Sequence, residues 1–178
     1  MRAITKTGAF LLLAAMLGAA PRAMSAPPQK KEYLSDAEAD KIRDAGYTGP
    51  RIVLFAKFAE DRIKKLQYEF AHMDSADEKR ADRLNSLING YSGCIDDAAD
   101  LVDLGIERQQ DIREGVKALQ PRLNEFLKYL QNLSAYGPER ESYKDNLEDA
   151  VEATQDAIKE VEKASKEMAP PPVRRRPS

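Results

Sequence analysis

A heptad rhythm of apolar positions runs through the second half of the chain. The intervals between its members alternate between four and three residues, which places all of them on one face of a helix. The members are Ile112, Val116, Leu119, Leu123, Phe126, Leu130 and Leu133. We call such a row an apolar seam, and it predicts a long helix that buries this face against other helices.

Three more segments carry a similar seam, so four long helices are expected. The first runs from about Pro50 to about His72 and presents Ile52, Phe55, Ala59, Ile63, Leu66, Phe70 and Met73. The second presents Leu84, Leu87, Tyr91, Cys94, Ala98 and Leu101, widened by Ile88, Ile95 and Val102. The last presents Tyr143, Leu147, Ala150, Thr154, Ala157, Val161, Ala164 and Met168. Together they predict an all-α fold, an antiparallel up-down four-helix bundle with coiled-coil-like packing.

Turn and capping residues place the helix boundaries at the start of the domain. Ser35 and Glu38 have the spacing of a capping box, which predicts a short N-terminal helix ending near Ala45. Gly46 is suited to the left-handed conformation that ends such a helix. After a turn over residues 47–49, Pro50 is expected at the first position of the next helix.

Further capping and turn residues predict where the later helices begin and end. Ser75 and Glu78 suggest a second capping box at the start of the third helix, and Gly137, followed by a proline, separates the last two helices. Gly90 and Gly93 lie inside the third helix without disturbing its seam. We interpret these two glycines as a close contact between helices.

The seams before and after Gly105 are in phase, so two architectures compete. A turn near Gly105 is favoured, because residues 107–111 are wholly polar and glycine commonly ends a helix. A single continuous helix would leave half of each apolar face uncovered and would require a homodimer. The turn predicts a closed bundle in one chain.

The first 25 residues have the pattern of a cleaved Sec-type signal peptide. Arg2 and Lys6 precede an apolar stretch over residues 9–20, and a small-x-small motif precedes Ala26. The predicted organisation is a signal peptide at 1–25, a disordered lead-in at 26–34, a helical bundle at 35–168 and a disordered Pro/Arg-rich tail at 169–178. The protein is therefore expected to be periplasmic or secreted, with no transmembrane segment in the mature chain.

Charge narrows the range of partners. Cleavage removes three of the 28 basic residues and none of the 30 acidic ones, so the mature chain is acidic. This excess argues against nucleic acid, which requires a basic surface. The tail residues 174–176, three arginines, are interpreted as a solubilising patch, with contact to an anionic envelope surface or an acidic partner as the alternative.

Metal and haem chemistry have little support in the sequence. His72 is the only histidine, and with Glu69 it forms a single Glu-x-x-His pair, whereas a di-iron bundle needs two. A haem iron would need Met168 as the distant second ligand, and no Cys-x-x-Cys-His attachment motif occurs. Cys94 falls on an apolar face and is interpreted as a small core residue, with an intermolecular disulfide as the alternative.

Carboxylates and a proline are the other features that could carry chemistry. Two acidic runs are interpreted as solvated helix faces: Asp96, Asp97, Asp100 and Asp103, and then Glu141, Asp145, Glu148, Asp149, Glu152, Asp156 and Glu160. Pro121 interrupts the fourth helix and predicts a kink near Lys117, interpreted as a bend that wraps the bundle rather than an opening for a ligand.

No catalytic, cofactor-binding or metal-binding residue is therefore proposed from the sequence, and no cofactor is expected. The favoured function is an exported, non-enzymatic interaction module that binds a partner protein or an envelope surface. Binding of a small ligand or metal within the bundle is the alternative. An enzyme that uses paired carboxylates ranks third, because such a site needs a concave pocket.

Overall fold

Five α-helices and one short 3₁₀ turn account for most of the chain in the computed structural model, which describes residues 32–74 and 77–168. Within these residues there is no strand. The elements are α1 Asp36–Asp44, α2 Thr48–Ala71, α3 Arg80–Glu107, α4 Arg113–Tyr136, the 3₁₀ turn Arg140–Ser142 and α5 Lys144–Glu167. The all-α prediction is confirmed.

Several sequence-based predictions lie outside the described residues. They are the signal peptide at 1–25, the part of the lead-in at 26–31, the capping role of Ser75 and the tail at 169–178. The end of the lead-in is described, and there the structure differs from the prediction. Leu34 is buried and Tyr33 packs against the core, so the packed domain begins before residue 35.

The four long helices form a ring in which each contacts two neighbours. The order around the ring is α2, α3, α5, α4, and α1 lies on α2. The ring encloses a core of apolar side chains and corresponds to a four-helix bundle. The short turn from α3 to α4 therefore joins helices that lie diagonally across the bundle.

Contacts along the helices show which neighbours run in the same direction. Glu60 of α2 binds Arg122 of α4, and near the starts of the same two helices Gly49 lies against Gly115. These contacts make α2 and α4 parallel, and α3 and α5 are parallel by the same argument. Successive helices alternate in direction, as the up-down prediction requires, but antiparallel packing is confined to the α2/α3 and α4/α5 hairpins.

Close approach at one end of the bundle explains why α2 and α4 become neighbours. A Cβ atom on Gly115 would lie 2.7 Å from the Cβ of Ile52 and 3.0 Å from the carbonyl oxygen of Gly49. Only a residue without a side chain fits at this crossing. The two hairpins therefore lie side by side with their first helices in contact.

The predicted seams form the core with few exceptions. Every member of the α4 seam is buried, and so is every member of the α5 seam except Met168, which is half-buried. Met73 was predicted to be buried and is instead 57% exposed, because α2 ends at Ala71 and the chain leaves the bundle. In α3, Ile88, Ile95 and Val102 are fully buried, while Leu87 and Leu101 are only half-buried.

Helix boundaries follow the capping signals in part. Ser35 and Glu38 form the predicted capping box, and Gly46 has the predicted positive φ of 70°. The start of α2 was predicted at Pro50, but the helix begins two residues earlier, at Thr48, after an extended Tyr47. Pro50 still lies in the first turn, where backbone N–H groups have no helical partner to lose.

The third helix also starts later than its capping signal predicts. It begins at Arg80, so Glu78 lies in the turn before it rather than inside the first helical turn. The side chain of Asp77 accepts a hydrogen bond of 3.0 Å from the backbone N–H of Lys79. An Asx turn of this kind lies directly before the start of α3.

The predicted turn between α3 and α4 exists, but it lies beyond Gly105. Gln109 adopts the left-handed conformation, with φ of 53°, and Gln110 donates a hydrogen bond of 2.8 Å to the carbonyl of Gly105. These are the features of a Schellman motif. Gly105 is buried inside α3 because the side chain of Ile112 occupies the place where its Cβ would be.

One hydrogen bond crosses the apolar core and makes the two substitutions at its ends unequal in their expected effect. The hydroxyl of Thr154 donates to the carbonyl of Ala150 at 2.6 Å, so the hydroxyl of Tyr91 must be the donor in its 2.7 Å contact with Thr154. Burial raises the pKa of Tyr91, so its phenol stays protonated and able to donate. Thr154→Val leaves the buried Tyr91 hydroxyl without an acceptor, whereas Tyr91→Phe removes the hydroxyl itself.

We expect Thr154→Val to lower the free energy of unfolding by about 1–3 kcal/mol and Tyr91→Phe by about 0.5–1.5 kcal/mol. The double variant should cost less than the sum of the two, because it leaves no unpaired hydroxyl. Urea denaturation measures all three, with the exposed Gln155→Ala as a control expected within about 0.5 kcal/mol of the parent. Strictly additive losses would contradict the assignment.

Candidate interaction surface

The Glu-x-x-His pair of the sequence forms no metal site in the described residues. His72 is exposed at the end of α2, with Nδ1 3.0 Å from the carbonyl oxygen of Tyr68 and its ring stacked on that tyrosine. Glu69 binds Arg83, with 3.0 Å between its Oε2 and a guanidinium nitrogen. No group of three or more metal-binding side chains occurs in the part of the chain that the structure describes.

The structure also separates the two residues that could have held a haem. His72 follows α2, and Met168 follows α5. Because α5 runs antiparallel to α2, these two residues lie at opposite ends of the bundle. Cys94 is fully buried, which confirms its interpretation as a core residue.

Most side chains of the two acidic runs are solvated, as predicted. Asp97 is only 9% exposed and accepts a hydrogen bond from the hydroxyl of Tyr33, so the prediction of a solvated side chain is wrong for this residue. Asp96 has a raised pKa, caused first by partial burial and then by the charges of Asp100 and Asp156. On α5 the predicted acidic stripe is exposed except for Glu160, which is half-buried.

A strip of exposed side chains on α2 separates two surface grooves. We call this strip the α2 ridge, and it consists of Lys64, Lys65, Gln67 and Tyr68. Its position on the ring places it diagonally opposite the acidic α5. Tyr68 is the large apolar side chain of the ridge and is 62% exposed.

The two grooves differ in lining and size. The α2/α4 groove has a volume of about 380 Å³ and is bordered by Pro121, Phe126 and Tyr129 across from the ridge. The α2/α3 groove is larger, about 560 Å³, and is bordered by Arg83, Ser86 and Leu87. Lys64 lines both grooves, so the ridge and its grooves form one continuous surface.

The charges of this surface are largely neutralised by internal ion pairs. Lys64 lies 2.6 Å from Glu60, and Lys65 lies 2.7 Å from Asp61. Arg122 also binds Glu60, and the pKa of Glu60 is lowered, first by Lys64 and then by Arg122. A charge-balanced surface with aromatic side chains suits contact with a protein better than capture of an anion or a cation.

Tyr129 adds an amphipathic wall to the smaller groove. Its ring is half-buried, and burial raises its pKa to about 12, so the phenol is neutral at physiological pH. Tyrosine combines a large apolar ring with a hydroxyl that can hydrogen-bond, which is why it is common in protein interfaces.

Comparison of the chain with protein-family models, with curated proteins and with solved structures finds no match. Among the described residues, no helix has the length and apolar character needed to cross a membrane.

Sequence reasoning overlooked the residues that define this surface. Tyr68 falls outside the α2 seam, and an aromatic side chain off the seam of an amphipathic helix is the signal that could have found it. Pro121 was singled out as a backbone kink. The structure places its ring at the edge of the α2/α4 groove, on the exposed side of α4.

Replacing Pro121 tests how much stability helix α4 loses by containing a proline. It lies within the continuous helix α4 and cannot donate to the carbonyl of Lys117. We expect Pro121→Ala to restore that bond and to raise the free energy of unfolding by about 1–3 kcal/mol. Chemical denaturation measures the change, with the neighbouring exposed Gln120→Ala as the matched control. A loss of stability would show that α4 depends on the proline.

Proposed function

We propose that the protein is an exported, non-enzymatic helical bundle that binds a partner protein through the α2 ridge. The observation that carries the proposal is the exposure of Tyr68 between two grooves, on a bundle whose axis is filled by apolar side chains. Aromatic residues beside grooves are frequent anchors in protein interfaces, because they bury a large area at low entropic cost.

A partner with an apolar anchor fits the larger groove best. Leu87 and the ring of Tyr68 supply apolar contact there, while the stems of Lys64 and Lys65 cover the ridge with methylene groups. The ion pairs of these lysines place polar groups at the rim. An apolar centre with a polar rim is the usual anatomy of a protein interface.

The alternatives have weaker support. A small ligand or metal within the bundle would need an internal cavity, whereas both grooves open to solvent. An anionic envelope surface would favour a basic face, and the lysines of the α2 ridge are neutralised by Glu60 and Asp61. The three arginines at 174–176 are the feature that favours that alternative.

Site-specific photocrosslinking tests the proposed surface. A photoreactive amino acid at position 68 of the full-length chain, expressed in its own host, should crosslink to a discrete protein partner. The same amino acid at Asp149, exposed on the opposite helix α5, is the matched control. Tyr68→Ala should weaken binding of the identified partner about tenfold or more, as expected when an interface anchor is removed. Equal crosslinking at both positions, or none at 68, would contradict the proposal.

Export is tested separately from binding. N-terminal sequencing of the protein from the extracytoplasmic fraction should begin at Ala26, as the small-x-small motif predicts. Replacing Leu12 by Arg should interrupt the apolar stretch and leave an uncleaved cytoplasmic precursor. A mature protein that retains Met1 would overturn export by a cleaved signal.

A further inference from the structure

A second cleft on the α2/α3 side of the bundle is already occupied by the chain's own N-terminal segment. We call residues 33–45, which end with α1, the arm. The arm cleft is formed by Arg62 of α2 and by Gly90, Gly93 and Asp97 of α3. Its residues follow those of the open α2/α3 groove toward the start of α2 and the end of α3.

The first anchor of the arm is an aromatic side chain over a glycine. A Cβ atom on Gly93 would lie 2.6 Å from the ring of Tyr33, so any side chain there would displace the ring. The hydroxyl of Tyr33 donates to the buried carboxylate of Asp97. The predicted close contact between helices is found at Gly90, which faces the Arg62 side chain of α2, whereas Gly93 receives the arm instead.

The second anchor is a bidentate ion pair. The two terminal nitrogens of Arg62 lie 2.5 Å and 2.7 Å from the two carboxylate oxygens of Glu38. Arg62 also donates to the carbonyl of Tyr33 at 3.1 Å, so one guanidinium holds the arm at both Tyr33 and Glu38. The Arg62 guanidinium holds the pKa of Glu38 well below its usual range, at about 2.

Beyond these anchors the arm is attached lightly. Leu34 is buried and Ile42 is half-buried against the core, but no residue of α1 is fully buried, and α1 contacts mainly α2. A short hinge over residues 45–47, with Gly46 at φ of 70°, joins α1 to α2. Segments with few buried apolar contacts open locally at lower free energy than the core.

We propose that the arm is a detachable ligand of the arm cleft, and that the cleft also binds the arm of a second copy of the chain. The cleft recognises a phenol together with a carboxylate five residues further along the chain, and another copy presents the same pair. Exchange of an identical element between copies is a low-cost route to dimers. This proposal is independent of the partner-binding surface on the α2 ridge.

The arm is covalently joined to the bundle, and this connection determines when arms are exchanged between two copies of the chain. A short linker gives the chain's own arm an effective concentration in the millimolar range, so the parent protein is expected to be monomeric at micromolar concentration. An added arm must compete with this resident segment. Its apparent affinity is reduced by the fraction of molecules in which the cleft is empty.

A peptide-binding experiment on the full chain tests the cleft. The probe is a fluorescently labelled peptide of residues 32–45, and fluorescence anisotropy measures its binding. The variant Tyr33→Ala/Glu38→Ala weakens the resident arm and should bind the probe at least tenfold more tightly than the parent does. Adding Gly93→Ala should abolish this gain, because a methyl group takes the place of the ring. No gain, or a gain that survives Gly93→Ala, would overturn the proposal.

A second measurement leaves both anchors in place. Gly46→Val strains the hinge, since a β-branched residue disfavours positive φ, and should favour a dimer with exchanged arms at high concentration. Sedimentation of Gly46→Val against Gly46→Val/Gly93→Ala separates the two outcomes. A dimer in the first variant and a monomer in the second supports exchange. A monomer in both, or a dimer in both, contradicts it.

Discussion

Mutual burial of four apolar seams is the interaction on which the rest of this structure depends. Each fully buried Leu or Ile side chain contributes about 1.5–3 kcal/mol. The gain is realised only when all four helices are in place, because each seam is covered by the others. This requirement makes the bundle cooperative and leaves its axis filled, with little space for a ligand.

Against this core, the polar contacts divide into two kinds. The hydrogen bond from Tyr91 to Thr154 is enclosed by the seams and orients α3 relative to α5. The contacts of Arg62 with Glu38 and Tyr33 instead attach a segment whose helix, α1, contains no fully buried residue. A molecule built in this way has one cooperative unit and one lightly held element, and motion is expected in the second.

The charged surface of the bundle also divides into two kinds of face. Ion pairs such as Lys64–Glu60 neutralise the α2 ridge, whereas the exposed stripe on α5 is rich in acids. Exposed pairs contribute little to stability, so their main effect is on what can approach the molecule. A balanced face that carries Tyr68 suits a protein partner better than the acidic face of α5 does.

The sequence by itself determined the all-α fold, nearly all of the core and the boundaries set by Ser35, Glu38 and Gly46, because periodicity and capping are local properties. Tertiary structure decided the ring order, since the approach of Gly49 to Gly115 joins segments distant in sequence. It also decided that Tyr33 and Asp97 are partners, and that Tyr68 stands between two grooves. Periodicity reports which face of a helix is buried, but only packing determines which helix covers it and which polar groups meet there.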